Sequence, residues 1–184
     1  VLANFLLKPA QRYPTETREF HRFWQQRIEK VGTTQAYEKF KRAYLDENQG
    51  IQHSLAHIFG QLIFEKEGTG GIIVCDSSFN YGCYHGFLGT AINQGNFNQI
   101  TTLDQKCRTT FGDRYLPCQH GIGHGILATL GDDKLDQALE LCETIASQPT
   151  GGCYSGIFME YNFRTMKSNS GIDVRPATDN LYFP

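Results

Sequence analysis

The stretch CQHGIGHG, Cys118–Gly125, decides the fold once it is laid beside CYHGFLG, residues 83–89, and CYSGIFME, residues 153–160. The cysteines that open the three stretches lie 35 residues apart both times, at positions 83, 118 and 153. A further copy without its cysteine, IQHSLAHIFG, begins at Ile51, 32 residues before Cys83. A second cysteine precedes two copies by 11 residues, at Cys107 and Cys142, and the other copy by 8, at Cys75. A period of this length suits two antiparallel helices with their turns.

The sequence between the cysteines supports that reading. In DDKLDQALELCETIA the residues Leu135, Ala138, Leu139 and Cys142 recur at helical spacing. Pro149 and the Gly151–Gly152 pair then break the chain before the second helix opens near Cys153. FNQITTLDQKCRTTFGDRYLP follows the same logic, with Gly112 and Pro117 before Cys118. Upstream, Phe20, Phe23, Trp24 and Ile28 mark one amphipathic helix, and Tyr37, Phe40 and Tyr44 mark another. The expected fold is all-α: helical-hairpin repeats curved into a compact bundle or short solenoid. The segment GTGGIIVCDSSFN departs from the pattern and reads as a turn or strand.

The 184 residues are expected to form one domain. Residues 1–48 are its amphipathic N-terminal helices, 49–163 its Cys/His repeats, and 164–184 a polar tail or the start of a further repeat. The net charge of −2 gives no general attraction to nucleic acid or acidic lipid. The excess of Lys and Arg in residues 1–50, 9 against 6 acids, reads as a solvated face. No run approaches the ~18 apolar residues of a membrane span.

Six cysteines resolve into three local pairs: Cys75 with Cys83, Cys107 with Cys118, and Cys142 with Cys153. None has the close C-x-x-C spacing of a zinc site. Cysteines on adjacent helices near a shared turn suit disulfides, which place the chain in an extracytoplasmic setting: secreted, periplasmic or cell-surface. The alternative is six buried free thiols.

Five of six histidines fall at matching repeat positions. His53, His85 and His120 share one slot, which Ser155 fills in the last copy. His57 and His124 share the slot four later. On the first of these helices the apolar arc of Ile51, Leu55, Ile58, Phe59 and Leu62 lies opposite His53 and His57, and no charged residue joins the histidines there. No charge occurs between Asp76 and Asp104 or between Arg114 and Gly131. Helices without charge all round are buried, so the imidazoles face an interior and need partners there. Glycines 86, 121, 123 and 156 let neighbouring helices approach closely.

Histidines at i and i+4 on one helix face hold a common ion in other helix-borne sites. The expected ligands of one or two transition-metal ions are His53, His57, His120 and His124, then His85. Glu160 is the one acid on the last helix, to complete the shell or act as a catalytic base. Imidazole suits copper, zinc and iron alike. Two HxxxH helices resemble the coupled dicopper sites of haemocyanin-type proteins, a likeness of spacing confined to His53, His57, His120 and His124. Ser155 stands where a further histidine would fall. If the site is catalytic, redox chemistry at copper or iron and metal-assisted hydrolysis are the candidates. The competing reading is a non-catalytic module whose histidines are core hydrogen-bonders and whose surface takes a protein partner. The chain carries no GxSxG, phosphate-loop or dinucleotide fingerprint.

Overall fold

The structure, a computed structural model, describes residues 13–95, 97–145 and 151–169, with side chains through Asn162. Eight α-helices and no strand occur among them: α1 (Thr17–Val31), α2 (Thr33–Ala43), α3 (Gln49–Glu67), α4 (Gly82–Gly95), α5 (Ile100–Phe111), α6 (Leu116–Leu130), α7 (Leu135–Glu143) and α8 (Gly152–Asn169). The polar tail expected to begin a further repeat lies, from residue 170 onward, outside the described residues.

Two amphipathic helices open the fold. Helix α1 buries Phe20, Trp24 and Ile28, and α2 buries Ala36, Tyr37 and Phe40. Both pack on the apolar side of α3, where the Phe59 ring meets Trp24, Tyr37 and Phe40 with centroids 5.5, 5.4 and 4.8 Å away. The Trp24 indole N–H donates to the Tyr44 hydroxyl (3.2 Å), which donates to the Pro14 carbonyl (2.6 Å). Polar atoms in this aromatic cluster are thereby satisfied. The cluster fixes which face of α3 looks away from it, and that face carries His53 and His57.

Beyond α3 the second helices of the repeats stand in a row: α3 against α4, α4 against α6, α6 against α8. Glycines set the crossings. A side chain at Gly86 on α4 would overlap the His57 carbonyl of α3, and one at Gly60 would overlap the Cys83 carbonyl. The same two clashes recur further along, between Gly156 and the His120 carbonyl and between Gly123 and the Cys153 carbonyl. Helix α6 approaches α4 through Gly121 and Gly125, the latter beside Gly89. Backbone thus meets backbone along the row, and side chains on the shared face are drawn together.

This packing corrects the repeat register. Aligning the histidines pairs His53 with His120, but the crossings pair His57 with His120. The glycines decide the point of closest approach, so the two helix pairs match one helical turn away from the sequence alignment.

The first helices α5 and α7 lie outside the row, each joined to its second helix by a disulfide. Cys107–Cys118 and Cys142–Cys153 close two hairpins, and Cys75–Cys83 closes the third. The expected pairs all form, and no described cysteine is free. The third unit has no first α-helix. GTGGIIV is a 3₁₀ run, Gly68–Val74, neither strand nor simple turn. Asp132–Asp133 likewise open a 3₁₀ turn that leads into α7.

Candidate metal centre

Helices α3, α4 and α6 bring the five repeat histidines into one region, with α8 alongside. His53, His57 and His85 form one group of ring nitrogens within 4.8 Å of one another, and His85, His120 and His124 form a second. Among the described residues His85 alone belongs to both. His21 on α1, outside the repeats, belongs to neither group and lies 3.5 Å from Glu65.

The outer nitrogens of three rings are committed. A neutral imidazole carries one N–H and one lone pair, and a carbonyl or carboxylate oxygen only accepts. His53 Nδ1 therefore donates to the Phe79 carbonyl at 2.9 Å. His124 Nδ1 donates to Glu160 Oε2 at 2.9 Å. The Ser155 hydroxyl spends its own hydrogen on the Gly152 carbonyl at 2.9 Å, so His120 Nδ1 donates to Ser155 Oγ at 2.7 Å. Each partner turns its ring so that Nε2 points inward. This is the outer-shell pattern that orients metal-ligating histidines, with a carbonyl, a carboxylate and a hydroxyl each in that role.

The inner nitrogens then face one another. His53 Nε2 and His57 Nε2 are 3.0 Å apart, His120 Nε2 and His124 Nε2 are 3.1 Å apart, and His85 Nδ1 is 3.3 Å from His57 Nε2. Four-coordinate zinc with bonds of about 2.05 Å has ligand–ligand edges of about 3.3 Å, so these separations match tetrahedral edges.

Neither His57 nor His120 takes up a second proton near neutral pH. Burial first, then the neighbouring His53 and His124, pushes the His57 imidazole down to about 3. Burial and then His124 push His120 down to about 4. His85 lies further below the ordinary histidine range, through burial and then His124 and His57. Its Nε2 is also buried with no hydrogen-bond partner.

The Phe79 carbonyl reaches His53 through an unusual turn. Phe79, Asn80 and Tyr81 have φ of 53°, 54° and 61°. Three successive non-glycine residues in the left-handed region cost roughly 1–2 kcal/mol each, least for Asn. The Cys75–Cys83 disulfide spans this turn, and Asp76 at its start accepts from Tyr37 Oη (3.1 Å) and Lys41 Nζ (2.6 Å) on α2. The one unit that departs from the repeat thus supplies a backbone carbonyl to the histidine of another. Sequence patterning carried no signal for Phe79, because a backbone oxygen has no residue identity.

A cavity of about 490 Å³ opens over the cluster. Its lining combines His53, His57, His85, His124 and Glu160 with Ile58, Ala128 and Met159. No family model matches the chain, and neither a curated protein nor a solved structure matches it. The site's chemistry therefore rests on its own geometry. Tyr84 on α4 is buried away from this cavity, its hydroxyl donating to the Cys75 carbonyl at 2.9 Å. Glu160 stands one layer behind His124 in this arrangement, as its hydrogen-bond acceptor. No helix among the described residues is long and apolar enough to cross a membrane.

Proposed function

We propose that the protein is a transition-metal protein whose ion or ions are held by His53, His57, His85, His120 and His124. The observation that carries this reading is the His120–His124 pair. With both rings neutral, their Nδ1 hydrogens are spent on Ser155 and Glu160 and the two Nε2 lone pairs face each other 3.1 Å apart. Two lone pairs at that distance repel, and a metal ion between them removes the repulsion.

A three-histidine set leaves at least one coordination position for water or substrate, as in catalytic rather than structural zinc sites. The cavity over the cluster gives a small molecule a way to that position. Imidazole nitrogen suits zinc, copper, nickel and iron, and metal-assisted hydrolysis or redox chemistry are the activities such a site supports. Three disulfides fit an oxidising, extracytoplasmic compartment.

The competing reading, histidines that only hydrogen-bond one another, draws on the His53–His57–His85 chain, where one shared hydrogen satisfies the 3.0 Å contact. Metal analysis separates the two. Protein purified without an affinity tag, stripped with chelator and reloaded with zinc or copper, is expected to retain at least one ion per chain through gel filtration. His120→Ala and His53→Ala are each expected to lose metal. Chains that stay metal-free in the wild type, or content indifferent to both variants, would leave the hydrogen-bonded core as the answer.

A further inference from the structure

We propose that the His85 imidazole bridges two metal ions, one at each ring nitrogen, so that the centre is dinuclear. This rests on the metal-centre reading above and specifies how the ions share the five histidines.

Five histidines are too few for two separate three-histidine sites, and His85 is the ring common to both groups. The two HxxxH pairs are carried by different helices, His53 and His57 on α3 and His120 and His124 on α6, with α4 between them. His85 sits on that middle helix, 4 % exposed, and belongs to both ligand groups. Its Nδ1 stands 3.3 Å from His57 Nε2. Its ring centroid lies 5.2 Å from those of His53 and His57, 5.5 Å from that of His120 and 4.1 Å from that of His124.

The second nitrogen decides between bridge and simple ligand. An imidazole bound to one ion through Nδ1 keeps a hydrogen on Nε2, and that N–H wants an acceptor. His53, His120 and His124 each have one for their outer nitrogen. His85 has none: Nε2 is buried without a hydrogen-bond partner. Leaving it so is unfavourable, since a buried unsatisfied donor forfeits its hydration. A second ion removes the problem by replacing the hydrogen.

The step balances without an oxidant or reductant. The Nε2–H bond breaks, the freed electron pair forms the Nε2–metal bond, and the proton leaves to solvent. Filling the second position through His85 Nε2 therefore releases that ring's last N–H proton.

Copper(II) is a suitable probe, because two copper ions joined through one imidazolate couple magnetically and lose electron-spin-resonance intensity. Metal-free wild-type protein is titrated with copper(II) at pH 7.5, following bound metal, spin intensity and proton release. The expected result is two ions per chain, spin intensity that rises with the first equivalent and falls with the second, and a proton released with the second. Zinc, titrated in parallel, should show the same stoichiometry and the same second-step proton. His85→Ala should abolish the coupling; circular dichroism shows whether the variant is folded, and the wild-type titration stands without it. One ion per chain, or two ions with full spin intensity and no second-step proton, overturns the bridge and leaves the metal centre intact. No bound ion at all overturns both.

Discussion

Gly156 of α8 lies against the backbone carbonyl of His120 on α6, so close that a methyl group at Gly156 would overlap the oxygen. That contact sets where Ser155 and Glu160 stand, because both ride on α8 beside it. Gly156→Ala must push the helices apart or distort them, at a cost of 1–3 kcal/mol or more. It should also lower metal affinity, by moving the partners of His120 and His124. Gly70→Ala is the control: nothing lies within 4 Å of a Cβ there. Thermal unfolding and metal titration of both variants check the contrast, with Gly70→Ala expected within about 0.5 kcal/mol of wild type.

Asp104 provides a test that leaves the histidines alone. Its carboxylate is buried, accepting from Gln119 Nε2 at one oxygen and Arg108 Nε at the other, both at 2.8 Å. Arg108 reaches on to the Ile145 carbonyl at 3.1 Å, so the group ties α5, α6 and the end of α7 together. Asp104→Ala removes an acceptor from the buried Gln119 amide and the ion-pair partner of Arg108, whose guanidinium keeps the Ile145 carbonyl. A loss of about 1–2 kcal/mol is expected in urea unfolding. Metal stoichiometry should not change at low denaturant, which separates damage to the scaffold from damage to the centre.

Acid should weaken the metal-free protein in a defined window. His57 and His120 are held neutral in the fold, at about 3 and about 4, while the unfolded chain takes up a proton near 6.5. Below pH ~6.5 the unfolded state binds more protons than the native state, so stability falls as pH falls and levels off only once the folded-state values are passed. Each histidine contributes a slope of up to about 1.4 kcal/mol per pH unit in that window. Above pH ~7 these groups give no slope. Urea midpoints of chelator-treated protein between pH 4 and 8 check this, and His57→Gln should flatten the curve. An unchanged midpoint from pH 7 to 5 would refute the buried, neutral assignment.

Much of this was readable in the sequence because it repeats. The 35-residue spacing of Cys83, Cys118 and Cys153 exposed the hairpins, and the shared intervals to Cys107 and Cys142 exposed the disulfides. The missing charge around His53, His57 and His120 showed that these rings face inward. Three features were not legible. The packing register follows glycine–carbonyl contacts, which carry no side-chain signature, so aligning on histidines was off by one turn. The Phe79 carbonyl acts through backbone that any residue could supply. Ser155 stood out as the gap in the histidine series, but that its oxygen holds His120 becomes visible only when α8 is seen beside α6.

The role of Glu160 can be decided by comparing two substitutions. Its Oε2 accepts from His124 Nδ1 at 2.9 Å, and its side chain is 18 % exposed at the edge of the cavity. In the proposed metal centre it would act on the ion through the histidine, fixing the ring and raising the basicity of Nε2. Removing such a partner typically costs 10–100-fold in metal affinity, and Glu160→Ala is expected to fall in that range. Glu160→Gln keeps an oxygen that can accept the same N–H but loses the negative charge, so it should lie between wild type and Ala. A carboxylate that bound the ion directly would behave differently: Gln, a poor ligand, would then be as damaging as Ala. Competition titrations against a chelator of known affinity give all three values, and unfolding curves of the metal-free proteins check that each variant is folded.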